Sequence, residues 1–331
     1  MKRQAKPIEL RLILGAGAVF LLFAGSILLK NQKRSSPLES QLPMFIESLK
    51  QRNYPASQIT IEKTLPPGSN YQRYLVFYHS DNLKIYGYLT VPASVKPPKG
   101  FPAILLLHGY VNPQNYSPLE DYAASQDGLA RAGFVTFKPD FRGHGQSEGQ
   151  ALSSPFAESY LIDALNALSA LKIHPAVDPE RIGLWGHSNG GAIALRVLVI
   201  SKDIKAAVIW AGVVGTYQDL LETYRPRVPW LPLVNDTVFL QQHGLPSTNP
   251  LFWNKLDIYP YLKEITTPVQ LHHGLADEEV PPEFSIHLKN ELESLGKPVE
   301  FYSYPGANHN FTGQAFNLAL RRSVDFFKKH L

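Results

Sequence analysis

The pentapeptide Gly186-His187-Ser188-Asn189-Gly190 follows the apolar run Arg181-Ile182-Gly183-Leu184-Trp185 and opens into Gly191-Ala192-Ile193-Ala194-Leu195. A strand that gives way to a helix in so few residues needs a sharp turn. Glycines on either side of the serine let the two elements approach closely enough to make it. The turn holds the Ser188 hydroxyl clear of the backbone at the carboxyl end of a strand. Ser188 is therefore a candidate nucleophile, provided that another group takes its proton.

Around this turn the sequence alternates between two periods. Residues 103–107, 134–138, 206–210, 269–273 and 299–304 are short apolar runs that read as strands. Between them, residues 119–132, 160–172, 282–295 and 314–330 read as helices; in 160–172 the apolar positions 161, 162, 165, 168 and 171 keep a helical spacing. Ahead of the alternation, 74–79 and 84–91 are aromatic-rich strands separated by Ser80-Asp81-Asn82, a hairpin signal. A hairpin followed by repeated strand–helix units predicts an α/β fold, a mostly parallel eight-stranded sheet with helices on both faces.

The chain has 331 residues, 44% of them hydrophobic, enough for one large core, and no cysteine, which excludes disulfides and thiolate metal sites. Residues 1–34 hold seven Lys or Arg and one Glu. That tail charge of +6 against +4 for the whole chain leaves residues 35–331 near −2. The basic balance belongs to the tail and gives no support to a nucleic-acid partner. Lys2, Arg3, Lys6 and Arg11 precede the uncharged stretch 12–29, and Lys30, Lys33 and Arg34 follow it. As a helix that stretch spans roughly 27 Å, close to the ~30 Å hydrocarbon core of a bilayer. Residues 1–34 are expected to be a membrane anchor with the catalytic domain outside the cytoplasm. The alternative is a signal segment cleaved near Ala24-Gly25-Ser26, giving a secreted protein. Residues 35–70 read as a linker, with a helix over 43–52, and a short N-terminal extension. The domain proper is expected over 71–331.

Chemistry in a parallel sheet collects at the carboxyl ends of the strands. After 269–273 comes Gly274-Leu275-Ala276-Asp277, and after 299–304 comes Pro305-Gly306-Ala307-Asn308-His309. An acid and an imidazole thus follow the last two strands, in the order Ser, Asp, His. His309 would take the Ser188 proton, and Asp277 would hold the imidazole in its productive tautomer. Glu278 and Glu279 are fallback acids. The oxyanion needs two donors: the Asn189 N–H, next to the nucleophile, and the Tyr110 N–H in the loop His108-Gly109-Tyr110. Gly143-x-Gly145 lacks the third glycine at dinucleotide spacing. His272 and His273, adjacent on a strand, point to opposite faces and cannot share a metal. No metal and no cofactor is expected, and His187 is expected to support the site or touch substrate.

Taken together, Leu106-Leu107-His108-Gly109, Asp140-Phe141-Arg142-Gly143-His144-Gly145-Gln146-Ser147-Glu148-Gly149, the serine turn, His273-Gly274-Leu275-Ala276-Asp277 with Val280-Pro281, and Tyr304-Pro305-Gly306-Ala307-Asn308-His309 resemble the α/β-hydrolase superfamily. Within it the chain is similar to the catalytic domain of prolyl oligopeptidase-type peptidases, over about residues 75–330. The resemblance implies the α/β-hydrolase fold, a Ser188–Asp277–His309 triad and acyl transfer through an acyl-enzyme. Two departures weaken the peptidase reading and favour an esterase, or an enzyme acting on small exposed amides. Only about 45 residues separate the apolar tail from the first expected strand, too few for the propeller of the multidomain peptidases. His108 stands near the position where several of them place a tyrosine hydroxyl on the oxyanion.

Residues 213–267 read as a cap insertion, rich in Pro226, Pro229, Pro232, Pro246, Pro250 and in Tyr217, Tyr224, Trp230, Leu231, Phe239, Phe252 and Trp253. They either line an apolar acyl pocket or pack their aromatics into the core. The leading expectation is a serine hydrolase of carboxylic esters. A peptidase on short peptides is the alternative, although no acidic pair for a free amino terminus stands out. A catalytically silent binding protein on the same fold is the third reading.

Overall fold

The computed structural model describes residues 43–151, 158–228 and 236–331. The apolar stretch 12–29 and Trp230 lie outside the described residues, among which no helix is long and apolar enough to cross a membrane. A compact unit begins at Pro43. Its first elements are α1 (Ile46–Gln51) and β1 (Thr60–Leu65), both within the segment expected to be linker and extension. Phe45, Ile46 and Leu49 are buried, with the Phe45 ring edge-on to Phe252 at 5.6 Å.

Asp81 and Asn82 have φ of 51° and 65°, the pair of left-handed residues that a two-residue type I′ turn requires. They join β2 (Tyr71–Ser80) to β3 (Leu83–Pro92) in an antiparallel register running from Ser80–Leu83 to Tyr71–Pro92. Beyond the hairpin lie β4 (Phe101–Leu107), β5 (Val135–Pro139), β6 (Val177–His187), β7 (Ile204–Trp210), β8 (Val269–Gly274) and β9 (Val299–Tyr304). These six pair in parallel, and the sheet order is β1-β2-β3-β5-β4-β6-β7-β8-β9. The sheet has nine strands among the described residues, one more than the eight expected. The extra strand is β1, exposed at every position but Leu65. An edge strand held by backbone pairing to β2 carries no hydrophobic alternation for a reader to find.

The helices are α2 (Ala123–Arg131), α3 (Ser159–Lys172), α4 (Asn189–Ile200), α5 (Asp236–His243), α6 (Pro250–Leu256), α7 (Pro282–Ser294) and α8 (Gln314–His330). On one face α2 and α8 enclose a core that includes Ile104, Leu106, Leu129, Phe134, Val208, Phe326 and Phe327. On the other, α3 and α4 pack on each other and on β4 and β6. Strands covered on both faces read as unbroken apolar runs, as β4 does. Because β6, β7, β8 and β9 are parallel neighbours, everything that follows their last residues arrives at one edge.

Candidate active site

Strand β6 ends at His187 and α4 begins at Asn189, so the turn between them is Ser188 alone. Its φ of 55° and ψ of −123° are unfavourable for any residue with a side chain. The surrounding backbone holds it there. The Ser188 N–H donates to the Trp210 carbonyl at 3.0 Å, and its own carbonyl accepts from Gly191 at 2.9 Å and Val213 at 3.0 Å. A Cβ on Gly190 would lie 2.0 Å from the Leu107 carbonyl oxygen, and one on Gly186 would lie 2.5 Å from that of Gly190. Both glycines are required by close approach.

Asp277 and His309 meet at the ends of β8 and β9. The His309 Nδ1 lies 2.8 Å from Asp277 Oδ2, a bond in which the imidazole donates, leaving Nε2 as the lone pair. The two loops are locked to each other: Leu275 N–H donates to Tyr304 and Ala276 N–H to Ala307, each at 3.0 Å. Asp277 is buried. Burial pushes its carboxyl up, but hydrogen bonds from His273 and His309 and from the Val280 N–H outweigh it and hold the pKa well below the usual carboxylate range. Both carboxylate oxygens are in use, since Oδ1 accepts from Glu279 N–H at 2.9 Å and Val280 N–H at 2.8 Å. Glu278 and Glu279 are exposed. The Glu279 carboxylate is 3.9 Å from His309 Nε2, the nitrogen an orienting acid does not use, so the acid on Nδ1 is Asp277.

His273 is a residue that sequence reasoning passed over. Its Nε2 faces the Val280 carbonyl and Asp277 Oδ2, each at 3.1 Å, and its Nδ1 faces the Ser285 hydroxyl at 2.6 Å. Two acceptors on Nε2 place the proton there. His273 thus braces the carboxylate from the side opposite His309. The neighbouring His272 turns the other way, to Gln270 and Tyr304. The alternation of a strand separated these two imidazoles, and the same alternation aims His273 at the acid. Among the described residues no group of three or more His, Cys, Asp or Glu is arranged to hold a metal ion.

The loop after β4 lies against the serine. A Cβ on Gly109 would be 2.9 Å from Ser188 Cβ. His108 is buried, and its Nδ1 is 2.7 Å from the Gly109 carbonyl, to which it donates. Burial, with the charge of Lys138 next, lowers its pKa well below the ordinary value and keeps it neutral. In a trans peptide the N–H opposes the carbonyl. Gripping the Gly109 carbonyl therefore turns the Tyr110 N–H away from His108. Asn189 opens α4, where the first N–H groups have no acceptor within the helix.

Ser188, Asn189, Tyr110 and His309 all line one cavity of about 820 Å³. Tyr122, Trp185, Trp210 and Phe316 form aromatic walls, and the acidic residues Glu120, Asp121 and Glu279 line it too, with no Lys or Arg among the described residues. Of the stretch 213–267, Val213 alone among the described residues reaches this cavity. Of its aromatics, Tyr217, Phe239, Phe252 and Trp253 pack on one another instead. Phe252 and Trp253 are buried, Tyr217 lies 5.1 Å from Trp253, Phe252 stacks on His243 at 4.1 Å, and Phe239 touches both Phe252 and Trp253. The described part of the insertion is a packed layer. Tyr217, Asp257 and Ile258 line a second cavity of about 80 Å³, which shares Asn189 and Val213 with the first.

The chain is similar to several known proteins. Residues 121–331, well over half of the chain, match the model of the prolyl oligopeptidase family. A Bacillus subtilis (strain 168) relative, the uncharacterized peptidase YtmA, is 27% identical over 79% of this chain and 95% of its own. Esterase YjfP of Escherichia coli K12 is 25% identical over 70% of this chain and 89% of its own. Among solved structures, the acetyl xylan esterase from Paenibacillus sp. R4 superposes with a TM-score of 0.67 at 20% identity, covering 86% of this chain and 92% of that one. The chain belongs to the prolyl oligopeptidase family and is a serine hydrolase with the α/β-hydrolase fold.

Proposed function

We propose that this enzyme hydrolyses carboxylic esters by acyl transfer to Ser188. His309 Nε2 accepts the hydroxyl proton as Ser188 attacks the carbonyl carbon, and Asp277 holds the tautomer and stabilises the imidazolium. The N–H groups of Asn189 and Tyr110 receive the oxyanion. The imidazolium protonates the departing alkoxide. A water, deprotonated in turn by His309, then releases the acid from the acyl-enzyme and restores the serine. One observation carries this reading: a serine on a strained turn shares a cavity with an imidazole whose other nitrogen is bound to a buried carboxylate.

Likeness to an esterase over 70% of this chain and to an acetyl xylan esterase over 86% supports the ester substrate, while the likeness to a relative named a peptidase over 79% leaves peptides as the second reading. A specific observation favours a second reading. The carboxylates of Glu120, Asp121 and Glu279 in the cavity suit an ammonium group, as on the free amino terminus of a short peptide. They come from two loops far apart in the chain, and no acidic pair was legible in the sequence. The test compares kcat/KM of the full-length protein for short p-nitrophenyl esters and for aminoacyl and prolyl p-nitroanilides, with Ser188→Ala as control. Fast esters without measurable anilide turnover are expected. Anilide turnover within about tenfold of ester turnover would make peptides the substrates, and an active Ser188→Ala would sink the mechanism. Residues 12–29 would hold the enzyme to a membrane with its catalytic domain on the extracytoplasmic side. Release of the protein by high salt, without detergent, would count against that.

A further inference from the structure

Acyl transfer at Ser188 needs two loops in fixed relation: the one after β4, which carries the Tyr110 N–H, and the one after β9, which carries His309. Two side chains outside the triad join them. The Gly109 N–H donates to the Tyr122 hydroxyl at 2.9 Å. That hydroxyl is 2.9 Å from His187 Nδ1, and His187 Nε2 is 3.0 Å from the His309 carbonyl oxygen. The proton positions follow from the partners. A carbonyl only accepts, so His187 Nε2 carries the proton. Nδ1 is then a lone pair and takes the Tyr122 hydroxyl proton, while the Tyr122 oxygen accepts from Gly109. The chain of bonds has one direction and uses each donor once.

Three further observations give this arrangement a purpose. Tyr122 has φ of 64°, left-handed and costly for a bulky residue, and its side chain makes no hydrogen bond that caps α2. Helix geometry does not ask for a tyrosine there, whereas the hydroxyl position does. A Cβ on Gly109 would lie 2.5 Å from the Tyr122 oxygen and 2.9 Å from Ser188 Cβ, so moving the hydroxyl moves the oxyanion loop against the nucleophile. His187 is buried beside His309, ring centroids 4.7 Å apart. Burial first, then the charge of His309, lower its pKa to about 3. It stays neutral when His309 becomes an imidazolium.

We propose that Tyr122 and His187 are positioning residues of acyl transfer: they clamp Gly109 to the His309 backbone across Ser188 and hold the oxyanion donor and the base in one frame. The Tyr122 proton is committed to His187, so Tyr122 acts through Gly109 and not on the oxyanion itself. This inference rests on the Ser188–His309–Asp277 reading above.

The test uses the full-length protein and the variants Tyr122→Phe, His187→Gln and the double variant, with p-nitrophenyl ester turnover expressed per site labelled by a fluorophosphonate. Glutamine can reach the His309 carbonyl but not Tyr122, so both single variants cut the same link. Tyr122→Phe is expected to lower kcat about 10- to 100-fold with KM within about twofold, short of the ~100- to 1000-fold lost with an oxyanion donor outright. Affinity for a trifluoromethyl ketone, which forms a tetrahedral adduct with the serine, should fall by a similar factor. The double variant should be no worse than the weaker single one. Turnover per labelled site within twofold of wild type, a loss confined to KM, or additive losses would each overturn the clamp. Ser188→Ala separates the two readings. If it retains activity the triad fails; if it is dead while Tyr122→Phe is fully active, only the clamp fails.

Discussion

At the scale of single residues the site is a set of imidazoles with assigned partners. Asp277, held ionised by hydrogen bonds from His273 and His309, is the carboxylate on His309 Nδ1, the acid of the proposed triad. Asp277→Asn is expected to cut kcat about 10³- to 10⁴-fold, because an amide there no longer enforces the tautomer. Glu279→Gln should change kcat only a few-fold. Steady-state kinetics on one ester checks both. Buried imidazoles also tie stability to pH. Burial, with lesser repulsion from His309 or Arg322, lowers the pKa of His187 and His272 from 6.5 to about 3. A folded value below the unfolded one means that stability is full above pH 6.5 and is lost as pH falls toward 3. Each group contributes a slope of about 1.4 kcal/mol per pH unit in that window. Urea unfolding at pH 7.5 and pH 5 should show a loss of about 2 kcal/mol per imidazole. His272→Gln should flatten the dependence by about one proton.

Elements place these residues by close backbone approach, and glycines decide how close. Strand β4 and helix α4 touch at Gly190, where a Cβ meets the Leu107 carbonyl at 2.0 Å. Gly190→Ala is expected to lose both fold and activity, since backbone cannot give way as a side chain end can. Soluble yield and melting temperature measure it. The insertion behaves differently. Trp253 is 2% exposed, packs on Tyr217, Phe239 and Phe252, and donates through its indole N–H to the Gly244 carbonyl at 3.1 Å. Trp253→Ala should therefore cost about 3–5 kcal/mol in unfolding free energy. The ratio of kcat/KM between acetyl and butyryl esters should remain unchanged. A shift in that ratio would return the residue to the acyl pocket.

Over the whole molecule, charge is unevenly shared. Residues 35–331 carry a net charge near −2, and the cavity at Ser188 concentrates carboxylates in its walls. Low-dielectric walls focus that field on an entering substrate. A hemisuccinyl p-nitrophenyl ester, anionic at neutral pH, is expected to have kcat/KM about tenfold below that of a neutral ester of equal length at low salt. The gap should narrow in 0.5 M salt, where the Debye length is only a few ångström. Glu279→Gln should narrow it as well. Equal rates for the two esters at low salt would show that the carboxylates do not reach the substrate.

What the sequence by itself determined was everything local or periodic. The strand–helix alternation, the hairpin around Ser80-Asp81-Asn82 and the serine turn between Gly186 and Gly190 are set by neighbours in the chain. A parallel sheet then carries Ser188, Asp277 and His309 to one edge in a readable order. Tertiary structure alone decided what depends on contacts between distant segments. Strand β1 is exposed and carries no apolar signal, so backbone pairing to β2 defines it. His273 and His187 are ordinary strand histidines until Asp277, Tyr122 and His309 are folded around them. The aromatics of the insertion have the same composition whether they line a pocket or pack together. Contacts made in the fold, such as Phe45 edge-on to Phe252 and Tyr217 against Trp253, turn the described ones inward. Periodicity tells which face of an element is buried, but hydrogen-bond partners and cavity walls are pairwise properties, and a single chain of letters does not contain the pairs.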